Sequence, residues 1–131
     1  VIDVGCGSGI LGIAAELVGA KSVYMCDIDP QAVEFAKKNA TLNGVNAVVE
    51  EADLIAGDHK ADFIFANITA DILMRLSMSI GKHLNDDGII VLSGIINTRL
   101  DEVIECYEKA GYVILDRAER EDWRALKLKR A

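Results

Sequence analysis

Seven residues near the amino terminus, Asp3-Val4-Gly5-Cys6-Gly7-Ser8-Gly9, restrict this chain more than any other feature. Val1-Ile2-Asp3-Val4 reads as a short buried strand. Three alternating glycines then let the backbone turn tightly and approach a ligand without Cβ atoms in the way. The apolar pattern Ile10, Leu11, Ile13, Ala14, Leu17 opens a helix directly after the turn, whose first N–H groups point back at the loop. Strand, glycine loop and helix in that order are the way an α/β domain receives a nucleotide-like ligand at the carboxyl end of its first strand.

Two ligand classes compete for the same glycines. Gly7-Ser8-Gly9-Ile10-Leu11-Gly12 fits the dinucleotide pattern G-x-G-x-x-G, and Asp27 follows at about the 20-residue separation where that pattern wants a ribose-binding acid. In the other frame, D-x-G-x-G-x-G from Asp3 to Gly9, a carboxylate stands at the end of the strand. Asp3 would repel a pyrophosphate, but it suits S-adenosylmethionine, which carries a cationic sulfonium and a cationic amino group and no phosphate. The electrostatics favour the methyl donor, and an NAD-dependent oxidoreductase remains the alternative from another class.

Composition narrows the partners. The chain has 131 residues, enough for one domain, here 1–131, and a net charge of −7 that disfavours direct nucleic-acid binding and suits a basic protein substrate. Cys6, Cys26 and Cys106 form no C-x-x-C pair, so they read as reduced, buried thiols of a cytoplasmic protein with no metal site. No apolar run reaches the length of a membrane span. The chain opens inside a strand without an initiator Met, which is the expectation for a fragment of a longer protein.

Strand and helix alternate along the rest. Ser22–Cys26 reads as a second strand, and Asp29-Pro30 starts a helix with Asp as N-cap and Pro at the first helical position. Val33, Ala36 and Ala40 form its apolar stripe, and Asn43-Gly44 ends it. Ala47–Val49 and Ala61–Ala66 read as strands three and four, followed by a helix carrying Ile72, Leu73, Leu76, Ile80 and Leu84. Asp86-Asp87-Gly88 is a turn before a fifth strand, Ile89–Leu92. Thr98–Asp101 resembles a capping box for a helix with Leu100, Val103, Ile104 and Tyr107, closed by Gly111. Tyr112–Leu115 and Ala125–Leu128 flank a charged stretch at hairpin separation. The pattern predicts an α/β fold with a mostly parallel seven-stranded sheet, helices on both faces and an antiparallel C-terminal hairpin.

The glycine loop, Cys26-Asp27-Ile28-Asp29-Pro30, Ala66-Asn67-Ile68-Thr69-Ala70, Leu92-Ser93-Gly94-Ile95 and the closing Trp123-Arg124-Ala125-Leu126 carry a resemblance. Over essentially its whole length the chain resembles the catalytic domain of the ribosomal protein L-eleven methyltransferases, the PrmA family. The resemblance implies a Rossmann-like class I methyltransferase fold, S-adenosylmethionine as cofactor, and methyl transfer to lysine or N-terminal amino groups of a basic ribosomal protein. A class I methyltransferase of a small amine or an RNA base is the neighbouring alternative. The resemblance also implies an amino-terminal substrate-recognition domain and a Gly/Thr/His-rich segment before the first strand, neither of which lies within these 131 residues. The chain departs from the family in having Thr69 where Leu is usual.

The candidate cofactor residues are Asp3, Gly5, Gly7, Gly9, Asp27, Ile28, Asp53 and Asn67. Asp27 ends the second strand, where a carboxylate accepts hydrogen bonds from two ribose hydroxyls; the alternative role, helix N-cap, is already filled by Asp29. Ile28 would lie against an adenine ring or in the core. Asp53 would accept from the adenine amino group or be a solvated loop acid. Asn67, at the carboxyl end of the fourth strand, is the candidate catalytic residue, with an Asx turn or N-cap as its alternative. Amine methylation requires the neutral amine, and deprotonating a lysine at pH 7 costs roughly 4.6 kcal/mol against about 1.4 for an α-amino group. An Asn carbonyl can accept an N–H bond and aim the remaining lone pair. Cys6 reads as an apolar filler, His59 and His83 as exposed bystanders, and Trp123 as a packing residue of the hairpin.

Overall fold

Backbone hydrogen bonds decide where the elements of this chain begin and end, and they depart from the apolar pattern in several places. The computed structural model describes all 131 residues, which divide into two compact units, Val1–His59 and Lys60–Ala131.

The first unit contains β1 (Ile2–Val4), α1 (Ile10–Leu17), β2 (Tyr24–Asp27), α2 (Pro30–Leu42) and β3 (Val48–Glu51). Its strands run in the order β3-β2-β1, all parallel, with Val4 opposite Cys26 and Asp27 opposite Glu51. Every residue of β1 is buried, as are Tyr24, Met25 and Cys26 of β2, which is the continuous apolar run of a covered parallel sheet. Cys6, Ile13, Val23, Met25, Ala36, Ala40 and Val45 form one core cluster. Helix α2 starts as expected, with Asp29 accepting from the Gln31 N–H, and Val33, Ala36 and Ala40 are its buried residues.

Helix α1 differs from expectation. Gly12 and Ile13 are its buried residues, while Ile10 and Leu17 are 71% and 61% exposed and Leu11 is also exposed. An eight-residue helix seated through a glycine lies too close to the sheet for a wide apolar stripe to turn inward. β3 also runs later than predicted, taking in Glu50 and Glu51, because its ladder partners on β2 extend to Asp27.

The second unit contains β4 (Ala61–Asn67), α3 (Ala70–Leu76), β5 (Leu84–Ile96), α4 (Leu100–Lys109), β6 (Tyr112–Arg120) and β7 (Trp123–Arg130), with 3₁₀ turns at Ile80–His83 and Asn97–Arg99. Its strand order is β4-β5-β7-β6; β4 and β5 are parallel, and β7 is antiparallel to both neighbours. Ile64, Leu73, Leu76, Ile80, Ile90, Leu92, Ile95, Val103, Tyr107 and Leu128 are fully buried. The Tyr107 hydroxyl donates to the Leu73 carbonyl at 2.7 Å and ties α4 to α3.

Six expectations change here. The helix drawn from Ile72 to Leu84 stops at Leu76, because the Ser77 hydroxyl donates to the Met74 carbonyl at 2.6 Å and competes with the helix for it. Ile80 then lies on the 3₁₀ turn and Leu84 opens β5, whose first carbonyls accept from the Arg130 guanidinium. The Asp86-Asp87-Gly88 turn is an irregularity inside β5, since Leu84 pairs with Ala61 and Ile89 with Phe63, and Asp87 takes a φ of 62°. The Thr98 capping box is absent: residues 97–99 form a 3₁₀ turn, and Arg99 bonds Glu102 and Asp71. The charged stretch expected to join the last two strands is itself strand, with Arg120 opposite Trp123 across the two-residue turn Glu121-Asp122. His83 is 1% exposed rather than a surface residue, and Trp123 is 52% exposed rather than packed.

Candidate functional site

After β1 the backbone takes positive φ at Gly5 (67°), Gly7 (55°) and Gly9 (86°), so the glycine spacing is a conformational requirement. Gly9 is also confined sterically: a Cβ there would lie 3.2 Å from Ala36 Cβ and 3.3 Å from Ile13 Cδ1. The loop is held on all sides by hydrogen bonds. The Cys6 N–H donates to the Cys26 carbonyl and the Gly9 N–H to the Cys6 carbonyl, each at 2.9 Å. The Gly7 N–H donates to Asp27 Oδ2 at 2.9 Å, and the Gly12 N–H to Asp3 Oδ2 at 3.0 Å. From α2, the Asn39 amide donates to the Ser8 carbonyl at 2.9 Å.

Two carboxylates therefore organise the loop from beneath and from the side. Asp3 is 2% exposed and sits under the start of α1, where its bond to Gly12 meets the positive end of the helix. Burial pushes its carboxyl up to about 6, with a further upward contribution from Asp27 and an opposing one from the Gly12 N–H. Asp3 thus acts on the site from within the strand behind the loop. Asp27 is half-buried at the end of β2, and its other oxygen, Oδ1, accepts from the Asp29 N–H at 2.9 Å. A carboxylate offers about four acceptor positions, so two backbone bonds leave it able to accept more.

Ile28, next in the chain, is 64% exposed and is not a core residue. Asp53 is exposed in the bend after β3. The segment that follows it is anchored to β2 in two ways. Cys26 Sγ lies 2.9 Å from the Leu54 carbonyl, and the His59 ring stacks on Tyr24 with centroids 3.8 Å apart. The Tyr24 hydroxyl donates to Glu50 Oε1 at 2.5 Å, and His59 Nε2 lies 3.7 Å from the same oxygen. His59 is accordingly a half-buried anchor, not an exposed bystander. Burial holds the Cys6 and Cys26 thiols up at about 12, so both are neutral apolar fillers.

The first unit thus brings Asp3, Gly7, Gly9 and Asp27 together through hydrogen bonds of one loop that Gly5 opens at positive φ, with Ile28 next to Asp27 in the chain and Asp53 following Ala52, whose N–H donates to the Asp27 carbonyl. Asn39 was missed by the sequence reading. Its signal was available, because Asn39 stands three residues after Ala36 and next to Ala40, a polar residue on the buried edge of α2. In the second unit, Asn67 is the last residue of β4, exposed and opposite Ser93 of β5. The N-cap of α3 is Thr69, so Asn67 is not a capping residue.

A parallel β-strand, a three-glycine loop with acids at both strand ends, and an antiparallel closing pair define a Rossmann-like α/β domain of the class I methyltransferase type. Its seven strands are mostly parallel, with the C-terminal strands antiparallel. Residues 1–131 match the family described as ribosomal protein L11 methyltransferase (PrmA), and the chain belongs to that family. A ribosomal protein L11 methyltransferase of Caldicellulosiruptor bescii is 48% identical over 117 residues, covering 88% of this chain and 38% of the relative. The crystal structure of a ribosomal protein L11 methylase from Lactobacillus delbrueckii subsp. bulgaricus matches with a TM-score of 0.96 at 38% identity, covering 98% of this chain and 68% of that one. An S-adenosylmethionine-dependent methyltransferase from Clostridium acetobutylicum, 12% identical with a TM-score of 0.81 over 98% of this chain, shares the fold. The chain spans about two-fifths of the length of the Caldicellulosiruptor relative.

Proposed function

We propose that these residues form the cofactor-binding and methyl-transferring domain of a longer S-adenosylmethionine-dependent enzyme that methylates amino groups of ribosomal protein L11. One observation carries the choice of cofactor. The N–H groups of Gly7, Gly9 and Gly12, which a dinucleotide site would turn toward pyrophosphate, all donate inside the protein, two of them to carboxylates. Two acids packed against the loop repel phosphate and tolerate a cation. The donor set fits S-adenosylmethionine: Asp27 retains acceptor capacity for a ribose diol, Ile28 presents exposed apolar surface for a base, and Asp53 is an exposed acceptor one strand further on. No helix of the chain is long and apolar enough to cross a membrane, and we place the enzyme in the cytoplasm with its basic ribosomal substrate.

When bound, the cofactor supplies a methyl group on a cationic sulfur, open to displacement by an amine lone pair. The protein's part is to present a neutral, oriented amine. Asn67 serves as the orienting group: its carbonyl accepts one amine N–H and leaves the lone pair directed. No strong base is needed, since desolvation lowers the pKa of a buried amine. The test is calorimetric titration of the full-length protein with S-adenosylhomocysteine and with NADH, followed by transfer of labelled methyl groups to ribosomal protein L11. Binding of S-adenosylhomocysteine alone, with label in L11 amino groups, is expected. Binding of NADH alone would overturn the cofactor assignment, and an unlabelled L11 would overturn the substrate.

A further inference from the structure

The Leu92-Ser93-Gly94-Ile95 segment carries part of the family resemblance and runs beside Asn67. Between β5 and β7 the pairing passes from Leu92 opposite Leu126 to Ile95 opposite Arg124, three steps on one strand against two on the other. The surplus residue is accommodated with Gly94 at a φ of 76°, the left-handed glycine of a β-bulge. On the opposite edge of the same strand, Ser93 pairs with Asn67. A Cβ on Gly94 would lie 2.7 Å from Asn67 Oδ1, 3.1 Å from the Ile68 carbonyl oxygen and 3.4 Å from the Ile68 nitrogen. The first separation is closer than carbon and oxygen pack. The bulge therefore brings bare backbone against the Asn67 amide and against the peptide that follows it.

We infer that Gly94 is a positioning residue for Asn67, its missing side chain leaving the volume that the amide oxygen occupies at the end of β4. The inference rests on the reading of Asn67 as the group that orients the acceptor amine. Glycine meets both requirements of the site: it adopts the positive φ without strain, and it leaves the volume that Oδ1 occupies. Alanine fails on both, and the group it displaces is the one whose direction matters. Misplacement of an orienting group by about 1 Å costs on the order of 100-fold in rate.

The test is a double-substitution cycle in the full-length protein, measuring single-turnover methylation of ribosomal protein L11, S-adenosylhomocysteine affinity and melting temperature. Asn67→Ala is expected to lower the rate about 30- to 1,000-fold, by analogy with loss of one oxyanion-hole donor. Gly94→Ala is expected to lower it about 10- to 100-fold, with cofactor affinity unchanged within twofold. In the Asn67→Ala background, Gly94→Ala should cost no further rate, because the group it displaces is gone, while backbone strain still lowers the melting temperature of both proteins. A merely structural glycine would lower the rate equally in both backgrounds, which overturns the inference, as does an unaffected rate in Gly94→Ala alone. If Asn67→Ala itself has no rate defect, the reading of Asn67 fails first, and the cycle shows that separately. Should Gly94→Ala alone unfold, stability becomes the readout: recovery of melting temperature on adding Asn67→Ala supports the contact, and no recovery overturns it.

Discussion

The two strand ends that matter in this molecule are built on opposite plans. In the first unit, the loop after β1 is fixed by polar side chains: the Asp27 and Asp3 carboxylates each accept from a loop or helix N–H, and the Asn39 amide donates to the Ser8 carbonyl. In the second unit, the end of β4 is shaped by a bulge and an absent side chain at Gly94. The first plan is electrostatically expensive, because it keeps a carboxylate 2% exposed, but it occupies the N–H groups of Gly7, Gly9 and Gly12. The second costs little charge and depends on long-range register. Perturbations should therefore separate them: acid substitutions move stability and cofactor affinity, whereas changes at β4 and β5 move turnover.

The largest effect is expected at Asp3 and depends on pH. Its carboxyl is raised from 3.8 to about 6, so the folded protein binds that proton more tightly than the unfolded chain does. Stability from this group is full below about pH 3.8 and is lost as pH rises to about 6, a loss of about 3 kcal/mol. Asp3→Asn keeps an acceptor for Gly12 and removes the titration. The stability difference between variant and parent should thus shift in favour of the variant by about 3 kcal/mol from pH 3.5 to pH 7. Urea unfolding at a series of pH values measures it. A difference that does not change with pH would mean that Asp3 is not held with a raised pKa.

Asp27 comes next. Asp27→Ala removes the acceptor of the Gly7 and Asp29 N–H groups as well as the one assigned to the ribose. Charge-assisted bonds are worth about 1.5–3 kcal/mol each, so S-adenosylhomocysteine affinity should fall by at least about tenfold. Asn67→Ala should leave the same affinity in place. If both substitutions weakened binding equally, the division of labour between the two strand ends would be wrong.

What the sequence disclosed follows the same division. The glycine loop, the Asp29-Pro30 start of α2, its Val33, Ala36 and Ala40 stripe and the role of Asn67 as a strand end were legible, because local conformation and short-range pattern determine them. β6 was not, beyond its first residues. Its stretch from Asp116 to Arg120 is exposed, so nothing along it alternates with burial, and only the ladder to β7 makes it a strand. The helix drawn through Leu84 failed for a different reason: Leu73, Leu76, Ile80 and Leu84 are all buried, but from three different elements. Asp3 was legible as a strand-end carboxylate, but its sequence position fixes the strand and not the depth of the carboxylate, which is 2% exposed. Gly94 was visible as part of a motif, yet its contact with Asn67 exists only once β5 has bulged beside β4.

The smallest expected effect tests whether the hairpin is independent of both strand ends. Glu121 occupies the first position of the two-residue turn between β6 and β7 with a φ of 55°, a conformation that glycine adopts without steric cost. Relief of left-handed strain is worth on the order of 1 kcal/mol, and the greater freedom of glycine in the unfolded chain offsets part of it. Glu121→Gly should therefore raise stability by about 0.5 kcal/mol, readable as a shift in urea midpoint with an unchanged slope. S-adenosylhomocysteine affinity should be unaltered, because the carboxylates that organise the glycine loop lie in the other unit. Methylation rate should also be unaltered: Gly94 and Asn67 meet through the β4–β5 ladder, and the turn lies beyond the Ile95–Arg124 pair at which the bulge closes. A rate change without a stability change would show that the hairpin tip takes part in presenting the substrate.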